Sequence, residues 1–344
     1  MQKVTYWHGL DLTKFLCVSS MILIHLFVWA LLVPKGLDTS HYLYSFILNF
    51  VFLSFFNLNI PATAGSVLGF YLKNNKKTIF RILIISLTIA IIGYAMNLIA
   101  FGQRWFFSWN VLQFIAISFI VITLINYFNK HLLLIIAILS LILINPIKQF
   151  FSNLDIEFLN IIFIGTDSGL HLWPFFPWFA TVVLGFFISD MYIKYRNSKK
   201  FILYLSLMGL IFFIISIITG DFLPKINPTN IFGPDLFQPP IGMVLAIIGF
   251  YCLLIAATSH YTKNKKFKKY SIINCYSRGI LWVYLTLMIV GYRLTVFLSD
   301  FFDPVIVLAF TLIIVPILCW IIGALSIKFI QGKKLNIVLR KLSN

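Results

Sequence analysis

Three residues of the first apolar run have side chains suited to chemistry: Asp11, Lys14 and His25. Lys14 and His25 stand eleven positions apart, close to three turns of helix, so they share one face. The helical rise between them is roughly 16 Å. If the run crosses a bilayer, Lys14 lies near one surface and His25 near the middle. An imidazole at that depth is neutral unless an acid pairs with it. Neutral imidazole acts as a general base towards a hydroxyl or an amine. The plainer role for His25 is a hydrogen bond to a neighbouring helix. For Asp11 and Lys14 the plainer role is an interfacial ion pair at i, i+3 with a snorkelling lysine.

Further candidates lie along the chain. Asn57, Asn59, Thr63 and Ser66 surround Pro61 and Gly65. A helix broken there exposes backbone groups that must line a cavity or find protein partners, and such groups suit an oxyanion. A packed kink satisfied by Ser and Thr is the competing reading. Gln113 offers a side-chain amide one turn into a later helix. Trp105 and Trp109 are either interfacial anchors or faces on which a sugar stacks. Asp167 and His171, four apart, could cooperate as acid and base if helical, or form a solvated loop pair. His41 is a second candidate base, whereas His8, His131 and His260 sit beside basic loops as incidental residues. The chain carries no Walker motif, dinucleotide fingerprint, GxSxG elbow or His-x-x-Glu-His run. Its four cysteines, Cys17, Cys252, Cys275 and Cys319, lack metal-ligand spacing and read as buried thiols.

The elements that must position these groups follow from composition. Of 344 residues, 60% are hydrophobic and 11% charged, with a mean hydropathy of +0.97. A soluble fold cannot hide that much apolar surface, so lipid is the solvent for most of it. Spans are expected near 10–33, 43–72, 80–101, 110–128, 132–147, 174–193, 201–219, 240–260, 277–298 and 304–327. The first has no cleavage site and should remain as a helix. The second is longer than a bilayer needs, and its Pro61 predicts a break. Of the 27 Lys and Arg, only Lys35, Arg104, Lys148, Lys225 and Arg293 fall on one side of these spans. The positive-inside rule then puts both termini in the cytoplasm. The net charge of +17 is thus a topology signal, and no nucleic-acid module stands apart from the spans. The expectation is one all-α, polytopic transmembrane helical bundle of about ten helices over residues 1–344. The bilayer is its first partner.

The order Asp11-Leu12-Thr13-Lys14, ten residues, then His25 resembles the first helix of bacterial membrane acyltransferases that modify surface glycans. There the pattern reads Asp-x-x-Arg, ten residues, His. Three more segments resemble the related heparan-alpha-glucosaminide N-acetyltransferase group. They are Ala64-Gly65-Ser66, the run Asn110-Val111-Leu112-Gln113-Phe114-Ile115, and Phe176-Pro177-Trp178 followed by Gly185. The resemblance implies an acyl donor, acetyl-CoA or another acyl-CoA, arriving from the cytoplasm as a co-substrate with no bound cofactor or metal. It places Asp11 and Lys14 at the donor, with Lys14 where the family has Arg, and His25 as the base. In the heparan branch a luminal His before the second helix does the chemistry, and His41 is its nearest match. A late-helix His expected after a tyrosine is replaced near Tyr284 by Thr286 and Leu287.

The function implied is transfer of an acyl group, acetyl above all, to a hydroxyl or amine of a cell-envelope glycan or lipid-linked sugar at a bacterial inner membrane. Asn57, Asn59, Ser66 or Gln113 would hold the oxyanion or line the cavity. Trp105, Trp109, Asp167 and His171 would meet the acceptor. A homo-oligomer is compatible with this reading. A multi-pass transporter or flippase competes with it, because broken helices and mid-membrane polar groups also mark transport sites. A non-catalytic scaffold is a third reading.

Overall fold

The computed structural model describes residues 7–32, 53–74, 79–154, 156–165, 173–196, 199–220 and 239–331. His41, Asp167 and His171 lie outside them. The described residues form an all-α bundle without strands. Helices α1 (His8–Leu32), α2 (Ile60–Asn74), α3 (Ile79–Phe101) and α4 (Val111–Phe128) make the first half of the bundle. Next come α5 (Lys130–Ile142), α6 (Ile144–Asn153), α7 (Glu157–Phe163), α8 (Phe175–Tyr195) and α9 (Lys199–Thr219). The last are α10 (Ile241–Tyr261), α11 (Ile272–Arg278), α12 (Ile280–Thr286), α13 (Tyr292–Ser299) and α14 (Pro304–Gln331). A π-helical turn, Leu287–Gly291, joins α12 to α13.

Among the described residues, eight helices are long and apolar enough to cross a membrane, with Ile280–Ser299 counted as one. Burial sorts them. The best span window of α10 is 78% buried, whereas those of α9 and α14 are each 22% buried. Helix α10 is therefore central, and α9 and α14 turn their apolar side chains outward, where hydrocarbon accepts them at no cost.

Two expected spans differ from straight helices. The stretch 132–147 divides into α5 and α6, which bend by 78° at Leu143. Pro146 supplies the reason, because it has no amide for the preceding turn and its ring collides with that turn's carbonyl. The pair makes a ninth crossing only if both limbs serve as one broken span. The expected break in the second span falls at Leu58–Asn59, between a helical turn at 53–57 and α2. Pro61 is the second residue of α2, where its missing amide costs nothing.

Helix α2 packs closely on α8. A Cβ on Gly65 would overlap the Val182 carbonyl, and one on Gly185 would overlap the Ala62 carbonyl. Small residues bring the backbones this near in a membrane, where packing rather than hydrophobicity holds helices together. Ser66 locks the contact by donating to the Gly185 carbonyl at 2.9 Å and pairing with the Tyr251 hydroxyl of α10 at 2.7 Å. Gly185→Val should overpack this crossing and cost about 1–3 kcal/mol. The check is a lower melting temperature of detergent-solubilised protein. An unchanged melt would mean that α2 and α8 do not approach this closely.

Candidate functional site

Helix α1 is held in place from both sides. Thr13 shares a 2.8 Å hydrogen bond with Thr258 of α10, and Trp7 stacks on Tyr192 of α8 at 4.1 Å. Ser20 donates to the Leu53 carbonyl just before the break in the second helix. The face of α1 left between these ties carries Lys14, Val18 and Met21, spaced i, i+4, i+7, and lines a cavity of about 400 Å³.

Other helices close the cavity with faces of the same period. Ile60, Thr63, Ala64 and Val67 come from α2, and Val111, Leu112, Ile115 and Phe119 from α4. Ile280, Leu281 and Tyr284 of α12 close the far side, with Ile89 of α3. The walls are apolar apart from Thr63 and Tyr284. Its charged lining residues are Lys14 of α1 and Arg278, next to Ser277 at the end of α11, a helix that packs against α1. Along α4 the wall runs for roughly 12 Å at the helical rise. The space is thus a slot with a cationic mouth and an apolar interior.

The mouth lysine is paired. Lys14 Nζ lies 2.8 Å from Asp11 Oδ1, and both side chains are largely buried. The i, i+3 pair expected from the sequence is present, and its lysine also lines the slot. Arg278 is exposed at the same mouth. In the sequence it is one of the basic residues on the Lys- and Arg-rich side of the spans. The one available signal was the Cys275-Tyr276-Ser277-Arg278-Gly279 turn, where Gly279 ends α11 and aims Ser277 and Arg278 at the opening.

His25 continues the Lys14–Val18–Met21 face one turn beyond Met21, outside the residues that line the slot. Its Nδ1 is 2.8 Å from the Met21 carbonyl oxygen, and its ring meets Trp29 edge-on at 5.2 Å. A carbonyl only accepts, so in the neutral ring Nδ1 carries the proton and Nε2 carries the lone pair. That tautomer is the one a general base needs.

The remaining candidates separate. Gln113 closes a capping box on α4: its Oε1 accepts from the Asn110 amide at 3.3 Å, and Asn110 caps Leu112. Its amide packs against Gly93 of α3 rather than lining the slot, and its buried Nε2 has no partner among the described residues. An orphaned buried donor is costly, and a developing negative charge is the group that would satisfy it. Asn59 is left with the opposite group. Its Nδ2 donates to the Phe55 carbonyl at 2.6 Å, and its buried Oδ1 lacks a partner among the described residues. An acceptor cannot hold an oxyanion. Asn57 is half-buried on the turn before the break. Ser66, expected at the cavity, is instead spent on the α2–α8–α10 contact.

Trp109 is 3% exposed, and its Nε1 donates to the Trp173 carbonyl at 2.9 Å. Its ring is thus packed, with no open face for a sugar. Trp105 is half-buried against Phe101. All four cysteines are buried and unpaired.

The family model for heparan-alpha-glucosaminide N-acetyltransferase, catalytic, matches residues 7–222. No curated protein and no solved structure matches the chain. The family region therefore supplies α1, α2, α3 and α4 to the slot, while Ser277, Arg278 and α12 complete it from beyond that region.

Proposed function

Because this chain belongs to the heparan-alpha-glucosaminide N-acetyltransferase catalytic family, we propose that it is a membrane acyltransferase whose donor, acetyl-CoA or a related acyl-CoA, enters the slot at Lys14 and Arg278. The observation that carries the reading is the single face of α1. It runs from a cationic mouth, along an apolar wall, to an imidazole whose bound Nδ1 leaves Nε2 as the base. The mouth suits the phosphates of the donor and the interior suits its acyl-pantetheine arm.

In this mechanism the acceptor hydroxyl or amine gives its proton to His25 Nε2 as its oxygen or nitrogen attacks the thioester carbonyl. The new C–O or C–N bond forms, and the carbonyl electrons move onto oxygen. That charge needs a hydrogen-bond donor, and our candidate is Gln113 Nε2, a buried donor beside Gly93 with no partner among the described residues, which would have to turn towards the slot to act. The C–S bond then breaks, and the departing thiolate takes the proton back from the imidazolium. The Lys- and Arg-rich end faces the cytoplasm, and the acceptor is an envelope glycan or lipid-linked sugar reached from the opposite side.

The test is to incubate purified protein with acetyl-CoA and follow free CoA thiol, alone and with sugar acceptors. Acceptor-dependent thiol release is the expected result. Absence of both binding and turnover of any CoA ester would overturn the reading.

A further inference from the structure

The stretch 262–271, between α10 and α11, holds Lys263, Lys265, Lys266, Lys268 and Lys269 and no acidic residue. All five lysines are exposed, and none lines the slot. Topology requires only an excess of positive charge on that side of the membrane. This stretch is also built. Asn274 Nδ2 donates to the carbonyls of both Phe267 (3.2 Å) and Lys268 (2.8 Å), and Ser271 N donates to the Lys268 carbonyl. The half-buried Phe267 meets the His8 ring edge-on at 5.8 Å. The backbone is therefore pinned while the ammonium groups point outward.

Aromatic side chains fix the depth of the array. Tyr261 ends α10 at 57% exposed, and Tyr270 follows the lysines at 46%. Trp320 of α14, also partly exposed, donates its Nε1 to the Tyr270 carbonyl at 3.3 Å. Exposed Tyr and Trp on spanning helices settle at headgroup level. Lys265 Nζ lies 3.3 Å from the Tyr261 ring centroid and Lys269 Nζ 5.0 Å from that of Tyr270, so the cations lie at the same level. A pinned run of lysines at headgroup depth is complementary to phosphate groups in the membrane plane.

We propose that residues 262–271 form a binding surface for anionic phospholipid headgroups. The inference is independent of the acyltransferase reading, since it uses no residue of the slot.

The experiment titrates the purified full-length chain in neutral detergent with phosphatidylglycerol or phosphatidylcholine. Retained lipid is read by native mass spectrometry and the shift in unfolding temperature is read in parallel. Phosphatidylglycerol should be retained in preference, and its affinity should fall about fivefold for each lysine neutralised. Lys265→Gln with Lys266→Gln, and separately all five lysines changed to Gln, supply that series. The preference should also shrink as salt rises from about 0.05 M to about 0.5 M. Equal retention of the two lipids by the wild type overturns the proposal, as does a preference that survives the five substitutions. If the five-substitution variant does not fold, the double variant and the wild-type salt series decide: an unmoved preference in either overturns it. Displacement of phosphatidylglycerol by millimolar inorganic phosphate would assign a soluble phosphate site instead, and would also overturn it.

Discussion

His25→Ala is expected to lower acyl transfer by about 100- to 10,000-fold, the range that a positioned general base supplies. The expectation rests on the hydrogen bond from Nδ1 to the Met21 carbonyl, which fixes the ring and leaves Nε2 as the proton acceptor. It also rests on the continuity of His25 with the slot-lining face of α1. Removing the imidazole deletes a ring packed on Trp29 as well, so the melting temperature must be read beside the rate. The pattern that supports a catalytic role is a large loss of kcat, a KM for acyl-CoA close to that of the wild type, and a small change in melting temperature. Undiminished transfer would exclude His25 as the base. Loss of transfer in His41→Ala but not in His25→Ala would move the chemistry to a residue outside α1.

The second large effect is expected at the mouth, and on KM rather than on kcat. Arg278→Ala should raise the KM for acyl-CoA by roughly tenfold to a hundredfold, the worth of one charge-assisted hydrogen bond to a phosphate. Arg278→Lys should recover only part of this, because an ammonium cannot fork onto phosphate oxygens. The control is acetyl-pantetheine, which has no nucleotide phosphates: Arg278→Ala should leave its KM unchanged. An equal loss with both donors would mean that Arg278 supports the fold of the mouth and does not read phosphate.

Lys14 needs a different design. It is paired with Asp11 at 2.8 Å in a largely buried setting, so Lys14→Ala alone takes an ion-pair partner away from a largely buried carboxylate. Breaking such a pair costs about 3 kcal/mol or more. The double change Asp11→Asn with Lys14→Met removes both charges and isolates the effect on the donor.

Much of this site was legible in local spacing. Asp11, Lys14 and His25 lie on one helix, and a 3.6-residue period carries their relation whatever packs around them. The break near Pro61 was legible for the same reason, since proline acts on its own helical turn. Arg278 was not legible as a mouth residue. It lines the slot with Lys14, far away in the chain, and only the packing of α11 against α1 puts both on one cavity.

The amino-acid sequence by itself determined an all-α membrane bundle, the break at the second helix and the line from Lys14 to His25. Hydropathy and helical period are properties of neighbouring residues, so no partner element is needed to read them. Tertiary structure alone decided how the polar candidates divide. It turned Ser66 into a tie between three helices, buried Trp109 under the Trp173 carbonyl, and left Gln113 a donor and Asn59 an acceptor. It also divided the expected fifth span at Leu143 and closed the slot with α12. The physical reason is common to all of these. A polar side chain in a bundle takes its role from the group that happens to face it, and that group belongs to another part of the chain.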